Sequence, residues 1–136
     1  EDKSVLPGGG APYMLLSLKL KEYAATVGGR EQMAVEAFAN ALEIIPKTLA
    51  ENSGLDPIDA MIALRKAHTE SDGWKYGINV GDGSAIDMLE ANVVEPKRVS
   101  AQAIRSAADI SSQLIRIEKI ITAKRRAEIG EDGFDF

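Results

Sequence analysis

Cysteine is absent from this chain, so neither a disulfide nor a thiolate zinc site can belong to its chemistry. Histidine occurs once, at His68, which argues against an imidazole metal cluster and against a Ser-His-Asp site. Aromatic residues make up only 5% of the chain, so the core has to be built from Leu, Ile, Val, Met and Ala. No apolar run approaches the ~20 residues that a membrane span requires, and no secretory leader is visible. Basic residues are outnumbered, 16 against 21 acidic, for a net charge of −5. That balance disfavours a nucleic-acid partner, whose phosphates select a basic surface. What remains is the profile of an ordinary soluble globular protein: 136 residues, 45% hydrophobic and 27% charged, enough for one domain with a core.

The stretch Arg30–Asn52 organises the rest. Val35, Phe38, Leu42, Ile45 and Leu49 recur at steps of three and four, which places them on one stripe of a helix. Glu31, Glu36, Glu43 and Lys47 fall mostly off that stripe and are expected to meet water. Pro46 removes a backbone donor inside the run, so the helix is expected to kink or to split in two. Gly28-Gly29 stop the preceding element and Gly54 stops this one. A helix of this kind needs neighbours, because its stability comes from packing its apolar face.

Upstream, Glu1–Pro7 is short and polar, turning apolar at Val5-Leu6, and carries no start signal. Gly8-Gly9-Gly10 then feed a helix that opens near Ala11-Pro12 and runs to about Val27. A glycine turn at a helix N-terminus presents bare amides to an anion or a close ligand, and equally serves as a hinge. Neither GxxxxGK[ST] nor GxGxxG is present. Downstream, Asp56-Pro57 is a cap followed by a first-turn proline. Ile58, Met61, Ile62 and Leu64 form the buried side of a helix that ends near His68, where a partial positive charge would suit the helix dipole. Trp74–Val80 and Ala85–Met88 read as the strands of a hairpin. Between them Gly81-Asp82-Gly83-Ser84 looks like a phosphate loop but reads first as a hairpin turn. Pro96 opens the last long helix, whose Val99, Ala103, Ala107, Ile110, Leu114, Ile117 and Ile121 form a seam expected to pack on the central helix. The fold class is therefore mainly α, a bundle of about four helices with one small β-hairpin. Residues 1–123 form the structured segment, and residues 124–136 form a flexible tail in which Phe134 and Phe136 could contact a partner. Asp56, Asp59 and Asp87 are explained as cap, helix-surface and hairpin residues, and no catalytic set or metal-ligand spacing stands out.

In this order, VLPGGGA (Val5–Ala11), Leu20–His68, Tyr76–Ala107 and the helix to about Ile121 resemble the C-terminal part of the equatorial ATP-binding domain of group II chaperonins, the thermosome family. GGGA, TVGGREQ, LAENSGLDP and VEPKRV form a specific set and extend over nearly the whole chain. The resemblance implies part of an ATP-dependent protein-folding machine built as a back-to-back double ring, in the cytoplasm. It implies ATP or ADP contacts at Gly9 and Gly10, where the family's glycine turn lies against the nucleotide. It implies a contact to the base from Asn79, where thermosomes often carry aspartate, and a contact to the ribose hydroxyls from Glu95. A helix-start role for Glu95 through its charge is the plainer alternative.

The sequence also departs from the family. Tyr13 and Leu15 stand where glutamates are usual, which leaves more apolar surface on the first helix. The family's phosphate- and magnesium-binding loop lies in an N-terminal half of the domain, and its catalytic aspartate lies in an intermediate domain. This stretch is therefore expected to supply the base-and-ribose side of a pocket, to meet Mg mainly through that other half, and not to hydrolyse ATP alone. Implied partners are other chaperonin subunits or further copies of the chain, and unfolded client proteins in the full-length family. The alternative is a helical scaffold or oligomerisation module without ATPase activity, using exposed apolar surface to self-associate.

Overall fold

A computed structural model describes residues 3–131, apart from the side chains of 118–119 and 125–131. The chain is mainly helical, with five α-helices and two small antiparallel strand pairs among the described residues. They follow in the order β1 (Val5–Pro7), α1 (Ala11–Val27), α2 (Gly29–Leu42), α3 (Ile44–Asn52), α4 (Pro57–His68), β2 (Tyr76–Ile78), β3 (Ala85–Asp87), β4 (Val94–Pro96) and α5 (Lys97–Glu131). A single 3-10 turn, Gly73–Lys75, precedes β2. The described residues form two compact units, one spanning residues 3–96 and one beginning at Lys97.

The expected long central helix is split, and the break lies at Glu43 rather than at Pro46. Proline explains the offset. Its missing N–H and its ring both act on the carbonyl four residues earlier, which is that of Leu42. The Glu43 amide turns back to the Asn40 carbonyl at 3.2 Å, and Pro46 sits in the first turn of α3, where no donor is needed. The break also shifts the phase of the apolar stripe. Leu42 remains buried, but on α3 it is Pro46 and Ala50 that face inward, while Ile45 is exposed.

Helix α4 starts as its sequence dictates. The Asp56 carboxylate accepts from the Ile58 amide at 2.8 Å and the Asp59 amide at 3.3 Å, and Pro57 is the first helical residue. Its inward face is Ala60, Met61 and Leu64, whereas Ile58 and Ile62 are exposed. The core joins this face to Met14 of α1, Ala50 of α3 and Ile78 of β2, with Leu18, Leu55 and Ala85 packed at its edge. Among the described residues this core contains no aromatic ring, in line with the low aromatic content.

The hairpin forms where expected, with Tyr76 opposite Asp87 and Ile78 opposite Ala85. The Asn79 amide donates to the Ser84 carbonyl and the Gly83 amide to the Asn79 carbonyl, each at 2.8 Å. Asp82 accepts from both the amide and the hydroxyl of Ser84. The GDGS segment is thus a turn closed on itself. The second strand pair has no local signature: β1 pairs with β4 antiparallel, Leu6 opposite Glu95, although nearly the whole unit separates them.

Helix α5 extends through the first residues of the stretch expected to be a tail, while Phe134 and Phe136 lie outside the described residues. Its seam residues Val99, Ile110, Leu114, Ile117 and Ile121 are each between 53% and 64% exposed.

Candidate functional site

The glycine turn is held from two sides. The Gly8 amide donates to the Val93 carbonyl at 2.8 Å, one residue beyond the β1–β4 ladder. The Ile78 amide of β2 donates to the Gly9 carbonyl, also at 2.8 Å. The Ala11 amide closes back on the Gly8 carbonyl at 3.1 Å and starts α1. Gly9 and Gly10 both adopt left-handed φ, +62° and +80°. A Cβ on Gly9 would lie 2.6 Å from Met88 Cε, and one on Gly10 would lie 2.6 Å from Pro46 Cβ. Backbone conformation and packing therefore demand glycine at both positions before any ligand is considered.

Three of the four residues singled out from the sequence meet here. Gly9, Gly10 and Glu95 line one cavity of about 570 Å³. Helix α3 adds Ile44, Ile45 and Leu49 to its lining as apolar surface and Thr48 and Asn52 as polar groups. Tyr13 of α1 lines it as well. Glu95 reaches this place through the β1–β4 pairing, which sets it opposite Leu6 beside the turn, and it is half-buried there. Asn79 does not line the cavity. It stands one residue past β2, and its side-chain carbonyl accepts from the Gly81 amide at 3.0 Å within the hairpin turn. Thr48 and Asn52 were not read from the sequence as site residues. Each follows a stripe residue, Ile45 or Leu49, by three positions, a spacing that carries no signal of a binding role.

The other group that the sequence reading missed is Glu43. It was expected to meet water, yet it is 7% exposed. Ser17 donates to it at 2.7 Å and Lys21 at 2.6 Å, and Arg65 donates to its second oxygen. Burial by itself would raise its pKa, but the hydrogen bonds from Lys21, Arg65 and Ser17 outweigh burial and hold the carboxyl below its ordinary value. Glu43 ties α1 and α4 to the α2–α3 break. It also lines a separate cavity of about 400 Å³ between α3 and α4, where its charge is already neutralised by these partners.

Among the described residues no group of three or more His, Asp or Glu could hold a metal ion. No described helix is long and apolar enough to cross a membrane.

The mainly helical fold with its small strand pairs is that of a chaperonin equatorial-domain segment. The solved open-state monomer of a group II chaperonin from Methanococcoides burtonii superposes with a TM-score of 0.78 at 49% identity, over 82% of this chain and 28% of that one. A model of the TCP-1/cpn60 chaperonin family matches residues 1–125, and the chain belongs to that family. It is 56% identical over 124 residues to thermosome subunit alpha of Methanothermobacter thermautotrophicus, covering 91% of this chain and 22% of that protein. To thermosome subunit 1 of Haloferax volcanii it is 56% identical over 125 residues, covering 90% and 22% respectively. The chain thus spans less than a quarter of the length of these two thermosome subunits.

Proposed function

We propose that this chain supplies one side of a nucleotide pocket, for ATP or ADP, in an equatorial domain of a group II chaperonin, and through it serves ATP-dependent protein folding. The observation that carries this reading is the convergence of Gly9, Gly10 and Glu95 on one cavity. A cavity of that size suits a nucleoside, since ligand pockets run to about 300–1,000 Å³. The Glu95 carboxylate can accept from two vicinal ribose hydroxyls, and Thr48 and Asn52 add neutral donors and acceptors. Asn79, the base-side contact that the family resemblance implies, stands outside the cavity lining with its side chain on the Gly81 amide, and would have to turn from it to meet the base. Mg²⁺ and the terminal phosphates are met by other segments of the domain, because phosphoryl transfer needs a phosphate cradle, a metal and a water-positioning base together.

The test is a thermal melt with and without excess Mg-ADP. A ligand that binds only the folded form adds about 2.7 kcal/mol at a hundredfold excess over its dissociation constant. The midpoint is expected to rise in the wild type and to rise less in Glu95→Ala. A cooperative melt that ignores Mg-ADP would sink the proposal for this chain.

The bare seam of α5 favours a second reading, in which the chain contributes apolar surface to contacts with other chaperonin subunits or with further copies of itself. Sedimentation against protein concentration, with and without nucleotide, separates the two. A self-associating scaffold would respond to concentration and not to ADP.

A further inference from the structure

We propose that His68 is a proton-controlled latch that holds the β2–β3 hairpin against the glycine turn. His68 is the last residue of α4, and its Nε2 lies 2.9 Å from the Tyr76 carbonyl at the start of β2. A carbonyl can only accept, so Nε2 carries the proton and donates. Nδ1 is then an acceptor, and it is buried with no hydrogen-bond partner among the described residues. The turn ahead of β2 is packed down on the helix end: a Cβ on Gly73 would lie 2.5 Å from both the Ala67 carbonyl and His68 Cα. Two residues beyond Tyr76, the Ile78 amide holds the Gly9 carbonyl. A Cβ on Gly77 would lie 2.5 Å from the Gly8 carbonyl, so the strand rests directly on the turn. One short path therefore joins the imidazole to the cavity wall.

Protonation would put a second N–H on Nδ1, in a place that offers no acceptor among the described residues. The hairpin has to lift for that proton to be solvated. Burial, partly offset by the Tyr76 carbonyl, holds the imidazole below its ordinary pKa of 6.5. The charged groups on the surrounding elements are Arg65 and Lys66 of α4, Glu70, Asp72 and Lys75 of the turn, Asp87 of β3 and Lys21 of α1. Lys75 is paired with Asp87, and Arg65 and Lys21 with Glu43. None of these is a source of the shift. A lowered folded-state pKa means that the unfolded chain binds the proton first. Stability is then intact above pH 6.5 and falls as pH drops from there through the folded pKa.

The test uses the single histidine, which gives one imidazole titration in the NMR spectrum. In the wild type titrated from pH 8 to 5, we expect a midpoint below 6.5, with the Ile78 and Gly9 amides moving at the same midpoint. Each unit of depression reads as an about tenfold loss in the folded-to-unfolded ratio across the transition. His68→Gln keeps a donor for the Tyr76 carbonyl and has no titration, so its melting midpoint should lose the fall between pH 7 and 5.5 that the wild type shows. A His68 midpoint at or above 6.5, or Ile78 and Gly9 amides that ignore it, would overturn the proposal. Neither result depends on what the cavity binds.

Discussion

At the scale of single residues, the glycine turn and Glu43 carry the clearest consequences. The resemblance explains Gly9 by a ligand that needs room, yet the structure supplies a prior reason in its positive φ and its contact with Met88 and Ile78. Gly9→Val should therefore cost stability before it costs binding, by about 2–4 kcal/mol from backbone strain and overpacking. Urea denaturation checks this, and a variant as stable as the wild type would mean that the turn can rearrange. Glu43 is a different case, since nothing in its spacing separates it from Glu36 or Glu31. Glu43→Gln removes the charge that Lys21 and Arg65 share and is expected to cost about 2 kcal/mol, reduced from the fully buried case because both cations are partly exposed. The pH dependence has a definite sign. A carboxyl held below its ordinary 4.5 contributes stability that is present above that pH and lost as pH falls through the folded value. Stability curves below pH 4.5 should therefore be steeper for the wild type than for Glu43→Gln.

At the scale of elements, local chemistry was legible wherever it acts over a few residues. The Asp56-Pro57 start, the glycine stop at Gly28 and the turn at Gly81–Ser84 all stand where their residues put them. Asp56→Ala should lose the cap to Ile58 and Asp59 and about 1 kcal/mol, read as a lower melting midpoint with the fold retained. Proline acted as expected in kind but not in place, because its effect falls on the carbonyl four residues back. That displacement rotated α3 relative to α2, moved Ile45 outward and turned Pro46 and Ala50 inward. Periodicity drawn straight through the break could not anticipate this. Strand β1 escaped notice for another reason. A three-residue strand has no readable alternation, and its partner lies far along the chain.

At the scale of the whole molecule, the apolar surface has two destinations. Residues 3–96 close around Met14, Leu64 and Ile78, and the α5 seam residues are exposed. Because Ile117 is 53% exposed, Ile117→Lys should change the melting midpoint of the chain little, within about 0.5 kcal/mol. It should abolish any concentration-dependent association seen by sedimentation; association that survived it would place the contact elsewhere. The sequence by itself determined the helical class, the helix starts, the hairpin and its turn, because capping, glycine stops and apolar spacing operate between near neighbours. Its motifs also determined the family. Only the tertiary structure decided that Leu6 pairs with Glu95, that Glu43 is buried among Ser17, Lys21 and Arg65, and that Thr48 and Asn52 line one cavity with Gly10 while Asn79 turns into its own loop. Those facts join residues distant in the chain, and what selects among such pairings is the packing of complete elements, which no local pattern encodes.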